Sequence, residues 1–199
     1  MSNRRYGRKA IIMGRKSSKS AILDAAERVI LRQGLAATTI ESVAAEAGLS
    51  KGGLFYHFAT KKEMLLQLME RYQEQFLHTR QELYDDLPAE PGRLLKATIL
   101  ASLQHPAKVG GNNISNVLTL LDDMEMRSKV SEMRMKLFEE LSHDYPHPEK
   151  IALAILATDG MWLMGIFGHS FPGGNEKLID ELLRLVDIHV TRDMTSAPA

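Results

Sequence analysis

Cysteine is absent from the 199 residues of this chain, which excludes disulfides and thiolate metal sites and fits a reducing compartment. Long apolar runs are missing too, since none approaches the roughly 18 residues that a membrane-spanning helix needs. The basic N-terminus is not followed by an apolar core and a small-residue cleavage site, so it does not match a secretory signal. Strand-like alternation of apolar and polar residues is lacking throughout. We therefore expect an all-α protein that is cytoplasmic and makes no membrane contact.

The charge is zero overall but is distributed unevenly along the chain. Residues 1–62 carry 12 Lys and Arg against 4 Asp and Glu, a net charge of +8, whereas residues 63–199 carry 13 against 21, a net charge of −8. Such asymmetry indicates a basic module for a polyanion joined to an acidic body. Residues 1–19 alone hold seven basic residues and no acid. We interpret them as a flexible basic arm, which either contacts the polyanion or is a plain tail.

Helical periodicity starts at Ser20 and continues, with interruptions, along the chain. Apolar residues from Ile22 to Ile30 recur at the spacing of one helix face. Segments rich in glycine and proline separate the later helices. The pattern predicts about nine helices, at residues 20–33, 38–47, 50–57, 61–84, 92–105, 114–143 (one helix or two), 149–168 and 175–193.

Two short helices on either side of Gly48 have the arrangement of a helix-turn-helix motif. Thr38 and Thr39 can cap the first helix, and Glu41 would complete a capping box with Thr38. Ser50 can cap the second helix. The motif predicts that this second helix lies in the major groove of DNA, with its N-terminal residues nearest the bases.

The second short helix carries the chemistry expected of a helix that contacts DNA. Gly52 and Gly53 leave the backbone bare, so that N–H groups can approach a phosphate or a base edge. Tyr56 can donate its hydroxyl to a phosphate. Leu54 or Phe55 can touch a thymine methyl, while Leu54 can also close a small core with Val43 of the first helix. The predicted DNA-binding residues are Thr39, Ser50, Lys51, Gly52, Gly53, Leu54, Phe55, Tyr56, His57 and Lys61. Of the remaining aromatics, Phe58 is expected in the core, while His57 either contacts phosphate or packs.

Residues 21–65 resemble the N-terminal domain of the TetR family of transcriptional repressors. The residues that match the family pattern are Thr39, Ala44, Gly48, Ser50, Gly52, Tyr56, His57, Phe58 and Lys61. The chain departs from it at Phe55, where many members have a tyrosine, and at Gly53, which offers no side chain to the bases. The resemblance implies an all-helical homodimer in which a small molecule bound to the C-terminal domain relieves or alters DNA binding.

Residues 151–168 are apolar on nearly every face, so a helix there must be covered on both sides. One side can pack on the chain's own body and the other on a second copy. Residues 178–190 carry a wide apolar stripe suited to the same four-helix interface. The predicted dimer contacts are Ile151, Ile155, Leu178, Leu182 and Leu185. A core formed within one chain remains the alternative.

A ligand pocket is indicated less directly, by methionines and aromatics in the C-terminal part, because flexible thioethers suit an adaptable apolar cavity. The predicted pocket residues are Tyr72, Phe76, Asn116, Met124, Trp162 and Phe167. The same residues fit an ordinary filled core, which is the alternative.

The sequence as a whole predicts a DNA-binding transcriptional regulator rather than an enzyme. We expect an N-terminal helix-turn-helix domain over residues 20–66 and a C-terminal ligand-binding and dimerisation domain over residues 67–199. His143 and His147 cannot share a metal on one helix because Pro146 intervenes, and no cofactor is expected. The expected partners are an inverted-repeat operator, a second copy of the chain and a small apolar or amphipathic effector that releases a repressor. A regulator controlled by a protein partner instead of a ligand is the alternative, and a helical enzyme is a weaker one.

Overall fold

The computed structural model describes residues 18–104, 122–169 and 174–187. Within these ranges the chain forms eight α-helices and no strand, which confirms the all-α class. The basic arm up to residue 17 lies outside the described residues, as does the first part of the helical segment predicted at residues 114–143. The helices are α1 Ser18–Gln33, α2 Ile40–Glu46, α3 Lys51–Phe55, α4 Lys61–Asp86, α5 Arg93–Gln104, α6 Met124–Asp144, α7 Pro148–Ile166 and α8 Gly174–Asp187. None of these helices is both long and apolar enough to cross a membrane.

Helices α1 to α4 pack around one apolar core. The α1 face that the periodicity predicted is buried, and Val43 of α2 and Leu54 of α3 are fully buried beside it. Phe58, which follows α3, is also fully buried, as expected. Burial of these side chains fixes the position of the short α3, because a helix of five residues has little stability of its own.

The turns on either side of α2 depend on two glycines and one threonine cap. Gly34 and Gly48 have φ angles of 82° and 69°, in the left-handed region that glycine adopts without strain. The N-cap of α2 is Thr39, and the third residue of its capping box is Ser42 rather than Glu41. The expected box between Thr38 and Glu41 is therefore wrong. The reason is that Thr38 lies one residue too early, where its hydroxyl donates to the Gly34 carbonyl at 2.8 Å.

Helices α5 to α8 form a second core around Leu95, Ile99, Leu141, Tyr145, Ile151, Ala154, Leu182 and Val186. The end of α8 is held in this core by donors to its last carbonyls, which lack partners within the helix. The Tyr145 hydroxyl donates to the Val186 carbonyl at 2.7 Å, and Lys150 Nζ donates to the Leu185 carbonyl at 2.5 Å. The hydroxyl and ammonium hydrogens thus stabilise the C-terminal turn of α8.

Helix α6 joins the two cores. Met126 in its first turn is only 2% exposed and packs in the N-terminal core, with Val130 one turn later against the same core. Farther along the helix, Leu141 is fully buried in the second core. The boundary predicted between residues 66 and 67 falls inside α4 (Lys61–Asp86), and a segment of α6 completes the N-terminal core.

Ion pairs reinforce the contact between α4 and α6. At one end, Lys62 Nζ lies 3.1 Å from Asp123 Oδ1, which also caps α6. At the other end, the buried Arg80 guanidinium donates twice to Glu140, at 2.8 Å to each carboxylate oxygen. A two-bond arrangement of this kind fixes orientation as well as distance. The long helix α4 is therefore attached to the body along its length.

The two faces of α7 have different environments. Ile151 and Ala154 are fully buried in the second core, whereas Leu156 is 67% exposed and Leu153 is exposed next to it on the outward face. Ile151, and the buried Leu182 of α8, are thus core residues of their own chain. The expectation that Ile151 contacts a second copy is wrong, because its side chain has no accessible surface, and Leu182 keeps only 7% of its surface exposed. Ile155, Leu178 and Leu185 are half-buried.

Candidate nucleic-acid interface

The start of α3 is shaped by its cap. Ser50 is the N-cap, and its hydroxyl oxygen accepts a hydrogen bond from the Gly53 amide at 3.0 Å. Tyr56 directly follows the helix and is 86% exposed, with its ring edge-on to the half-buried His57 at 5.2 Å between centroids. The Tyr56 side chain is thus accessible to another molecule directly after the C-terminal end of α3, as a phosphate contact requires.

Gly52 is not required by the fold. A Cβ built at this position would meet only the Ser50 hydroxyl, at 4.0 Å. Gly53 is tighter, since its Cβ would lie 3.3 Å from the same oxygen. Glycine lowers helix stability relative to alanine, so Gly52 does not add to the stability of the folded chain. It does allow another molecule to approach the backbone closely.

Leu54 and Phe55 differ in exposure, although they are neighbours on α3. Leu54 is fully buried in the N-terminal core, while Phe55 is exposed. Of the two roles predicted for Leu54, packing in the core with Val43 is confirmed. Contact with a thymine methyl is wrong, because no surface of the side chain is accessible. The exposed Phe55 ring is accessible for a contact with a thymine methyl.

Lys51, the basic residue of α3, is already paired within the protein. Its Nζ lies 2.6 Å from Glu41 Oε1, and both side chains are 58% exposed. The same ammonium lies 5.7 Å from the centre of the Phe55 ring, within the distance of a cation–π contact. The hydrogen bond from Lys51 lowers the pKa of the Glu41 carboxyl, which favours its charged form.

Lys61 has a structural contact that the sequence pattern did not indicate. Its Nζ donates to the Leu35 carbonyl at 2.8 Å, linking the start of α4 to the beginning of the turn after α1. Burial lowers the pKa of Lys61. An ammonium has three donors, so a phosphate contact would be an addition to this structural bond.

Every Lys and Arg between residues 20 and 71 has a partner within the protein. Arg28 and Arg32 both pair with Glu46, at 2.7 and 3.0 Å, and Arg71 pairs with Asp24 and Glu27, at 2.7 and 3.1 Å. The others are Lys51, Lys61 and Lys62. The acidic partners, of which Glu41 and Glu46 lie on α2, were not identified from the sequence. Counting charges along the chain cannot show which of them meet in space.

Two of the residues predicted to line a pocket are exposed on the surface. Tyr72 packs against the N-terminal core, and burial raises the pKa of its phenol. Met124 is 77% exposed and Phe167 is also exposed, so neither is a wall of an enclosed cavity. Phe76 and Trp162 are half-buried, and Asn116 lies outside the described residues.

A shallow cleft lies between α5, α6 and α7, and its enclosed volume of about 10 Å³ has room for about one water molecule. It is lined by Leu95, Thr98, Ile99, Ser102, Arg134, Leu137, Ala154, Ile155 and Thr158. The three hydroxyls donate to carbonyls of their own helices, which leaves their oxygens able to accept. The Arg134 guanidinium pairs with Asp159 at 2.7 Å. The surface is thus apolar with a few polar groups, as is usual for a small-molecule site.

Comparison with known proteins identifies both halves of the chain. The family model of bacterial regulatory proteins of the tetR family matches residues 22–68, and that of the tetracyclin repressor-like C-terminal domain matches residues 92–187. The HTH-type transcriptional repressor KstR2 of Mycobacterium tuberculosis is 32% identical over 88 residues, which are 44% of this chain and 44% of that protein. The chain thus spans less than half the length of the first curated relatives that it matches.

Solved structures share the fold over nearly the full chain. A transcriptional regulator from Aquifex aeolicus aligns with a TM-score of 0.62 and 19% identity, over 86% of this chain and 98% of the other. The multidrug binding protein EbrR, complexed with malachite green, aligns with a TM-score of 0.63 and 23% identity, over 84% and 96%. With family models on both the N-terminal module and the body, this chain belongs to the TetR family of bacterial regulatory proteins.

Proposed function

We propose that this protein is a cytoplasmic DNA-binding transcriptional regulator, a repressor that binds an inverted-repeat operator through α3. The observation that carries the proposal is the surface around Gly52, where the backbone is open and the fold gains nothing from a glycine. Tyr56 next to it offers an exposed hydroxyl to phosphate. Thr39 and Ser50 use their hydroxyl oxygens as caps, and so place the first turns of α2 and α3 for the same contact.

The direct test is to select duplexes from a random pool and then to replace Gly52 with alanine. We expect Gly52→Ala to raise the free energy of unfolding by up to about 1 kcal/mol, because alanine stabilises helices. It should lower affinity for the selected duplex about tenfold or more, which corresponds to about 1.4 kcal/mol, because the methyl group separates backbone and DNA. Urea unfolding and fluorescence anisotropy measure the two quantities.

The matched control is Gly165→Ala on α7, where an added Cβ also meets nothing within 4 Å. That variant should gain stability in the same way and keep its DNA affinity. Failure of the wild-type protein to enrich any sequence would contradict the proposed function. Equal DNA affinity of Gly52→Ala and wild type would contradict the placement of Gly52 at the interface.

We further propose that the protein acts as a homodimer through the outward face of α7. Leu153 and Leu156 form an exposed apolar stripe there, and α8 lies beside α7 with Leu178 and Leu185 half-buried. Pairing of two such faces makes a two-fold interface of four helices. A symmetric dimer with two copies of α3 matches the two half-sites of an inverted repeat.

The proposed effector site is the cleft between α5, α6 and α7. An apolar or amphipathic molecule would place its apolar part against Leu95, Ile99 and Leu137, and its polar part near the hydroxyls and Arg134. KstR2 is described as a ketosteroid transcriptional regulator, and EbrR was crystallised with malachite green. These likenesses support an organic effector without indicating which one.

The effector proposal predicts reciprocal coupling between ligand and DNA. Malachite green and medium-chain fatty acids serve as probes in calorimetric titrations of free and operator-bound protein. A probe that releases the operator should bind the DNA complex about 5–150-fold more weakly than the free protein, a coupling of about 1–3 kcal/mol. Equal affinity in both titrations would exclude the switch. Ser102→Met, which fills the cleft, is the control that should lose probe binding and keep DNA binding.

One observation favours a second candidate, a regulator controlled by a protein partner. The enclosed volume of the cleft, about 10 Å³, is far below the roughly 300–1,000 Å³ of typical ligand sites. A drug-sized effector would therefore have to widen the cleft between α5 and α7. If no probe bound the free protein while DNA binding was intact, control by a partner would be the better proposal.

A further inference from the structure

The ion pair between Glu41 and Lys51 lies on the surface through which α3 would contact DNA. Glu41 is in the first turn of α2, and Lys51 is the first residue of α3. Their side chains are 58% exposed and meet at 2.6 Å. Exposed pairs of this kind add little to stability, and both helices are already held by Val43 and Leu54 in the core. The pair is therefore not explained by the fold.

A carboxylate is an unexpected group to find at this position. Phosphates repel it, and it occupies the ammonium that could otherwise attract them. The other cations of residues 20–71 are paired as well, but they lie on α1 and α4 and not on α3. Lys51 is the basic residue within α3 itself, so its partner has the largest influence on how α3 meets DNA.

We propose that Glu41 is a specificity-determining residue for DNA binding. Its carboxylate pairs with the Lys51 ammonium, so that Lys51 does not contact a phosphate. Lys51 therefore adds no sequence-independent affinity for DNA. Affinity then depends on how well a sequence fits the open backbone at Gly52 and the exposed Phe55 and Tyr56. This inference rests on the proposed function, because it assigns Glu41 a role in the choice of DNA.

The effect on discrimination follows from the position of α3 in the two kinds of complex. On a selected sequence, base contacts fix the register of α3, and Lys51 has one available position. On mixed sequence, the protein can shift along the groove until a freed Lys51 meets a phosphate. Loss of Glu41 should therefore strengthen binding to mixed sequence more than binding to the selected sequence, and the ratio of the two affinities should fall.

The experiment compares wild type, Glu41→Gln, the double variant Glu41→Gln/Lys51→Gln and the control Glu70→Gln. Glu70 is an exposed carboxylate on α4 that accepts from Gln67 at 2.9 Å, so its removal changes the net charge equally. The probes are a labelled 30-bp duplex of mixed sequence and a duplex selected by the wild type, each titrated between 50 and 200 mM salt. Circular dichroism verifies that all four proteins are folded.

For Glu41→Gln on mixed sequence, the slope of log affinity against log salt should steepen by about 0.9, the value for one added phosphate contact. The affinity lost between 50 and 200 mM salt then grows by a further factor of about 3.5. The double variant should return to the wild-type slope, and Glu70→Gln should not depart from it.

The outcomes separate this inference from the proposed function. If the wild type enriches no sequence, the proposed function fails. If the wild type selects a sequence but Glu41→Gln behaves like Glu70→Gln in slope and in affinity ratio, the role of Glu41 is wrong. An equal gain on both duplexes would also overturn it, since Lys51 would then be a contact that Glu41 merely weakens everywhere.

Discussion

Replacing Leu156 with glutamate is expected to convert the protein to a monomer and to lower its affinity for an inverted-repeat duplex about a hundredfold or more. The side chain is 67% exposed on the outward face of α7, so the substitution leaves the chain's own core intact. In a dimer the glutamate would be buried against its symmetry mate, and two unpaired charges would oppose association. A monomer has only one α3 and loses the extra affinity of two joined DNA-binding sites, which is about 10²–10⁴-fold when the geometry fits.

Sedimentation velocity and anisotropy titration measure the two effects in the same samples. Met135→Glu is the matched control, because Met135 is equally accessible on α6 and should remain dimeric. A Leu156→Glu protein that sediments as the wild-type dimer would contradict the proposed interface. A charge at Leu182 is less informative than one at Leu156, because Leu182 is buried in its own chain and the substitution would unfold the body.

Truncating Leu54 to alanine is expected to lower the free energy of unfolding by about 2–5 kcal/mol, whereas Phe55→Ala should change it by about 0.5 kcal/mol or less. Leu54 is fully buried in the N-terminal core, and its neighbour in sequence is exposed. The large effect comes from the lost apolar burial and the cavity that remains.

Urea unfolding measures the stability of both variants, and DNA binding is measured where each is folded. Phe55→Ala should weaken binding only to sequences with a thymine at the contacted position, because the methyl contact is specific to that base. Similar destabilisation by the two substitutions would show that α3 faces the core differently from the structure described above.

The helix-turn-helix module was largely predictable from the sequence because its signals are local. Gly48 and Ser50 act as a turn and a cap through backbone geometry that depends only on nearby residues. Periodicity identified the buried face of α1 for the same reason. The sequence left Leu54 with two roles, in the core and at the DNA, because a helix of five residues is too short for a period of 3.6 to show which side is buried.

The body was less predictable because its apolar helices offer no preferred face. Residues 151–168 are apolar nearly all round, so the sequence could not decide between Ile151 and Leu156 as the outward residue. Met124 was assigned to a pocket from its chemistry, but its position depends on how α6 approaches α4. Glu41 and Lys51 meet only because the turn at Gly48 brings two helices together, which no pattern along the chain expresses.

The insertion of Met126 into the N-terminal core bears on the engineering of hybrid sensors. A fusion that takes residues up to the end of α4 and joins them to a different body omits the side chain that closes this core. It also omits Asp123, the partner of Lys62 at the same junction. The DNA-binding module that a fusion must contain is therefore discontinuous in sequence. It consists of the first four helices and the first turns of α6, residues 123–130. Recombination between relatives would meet the same requirement, so the two stretches are expected to be inherited together.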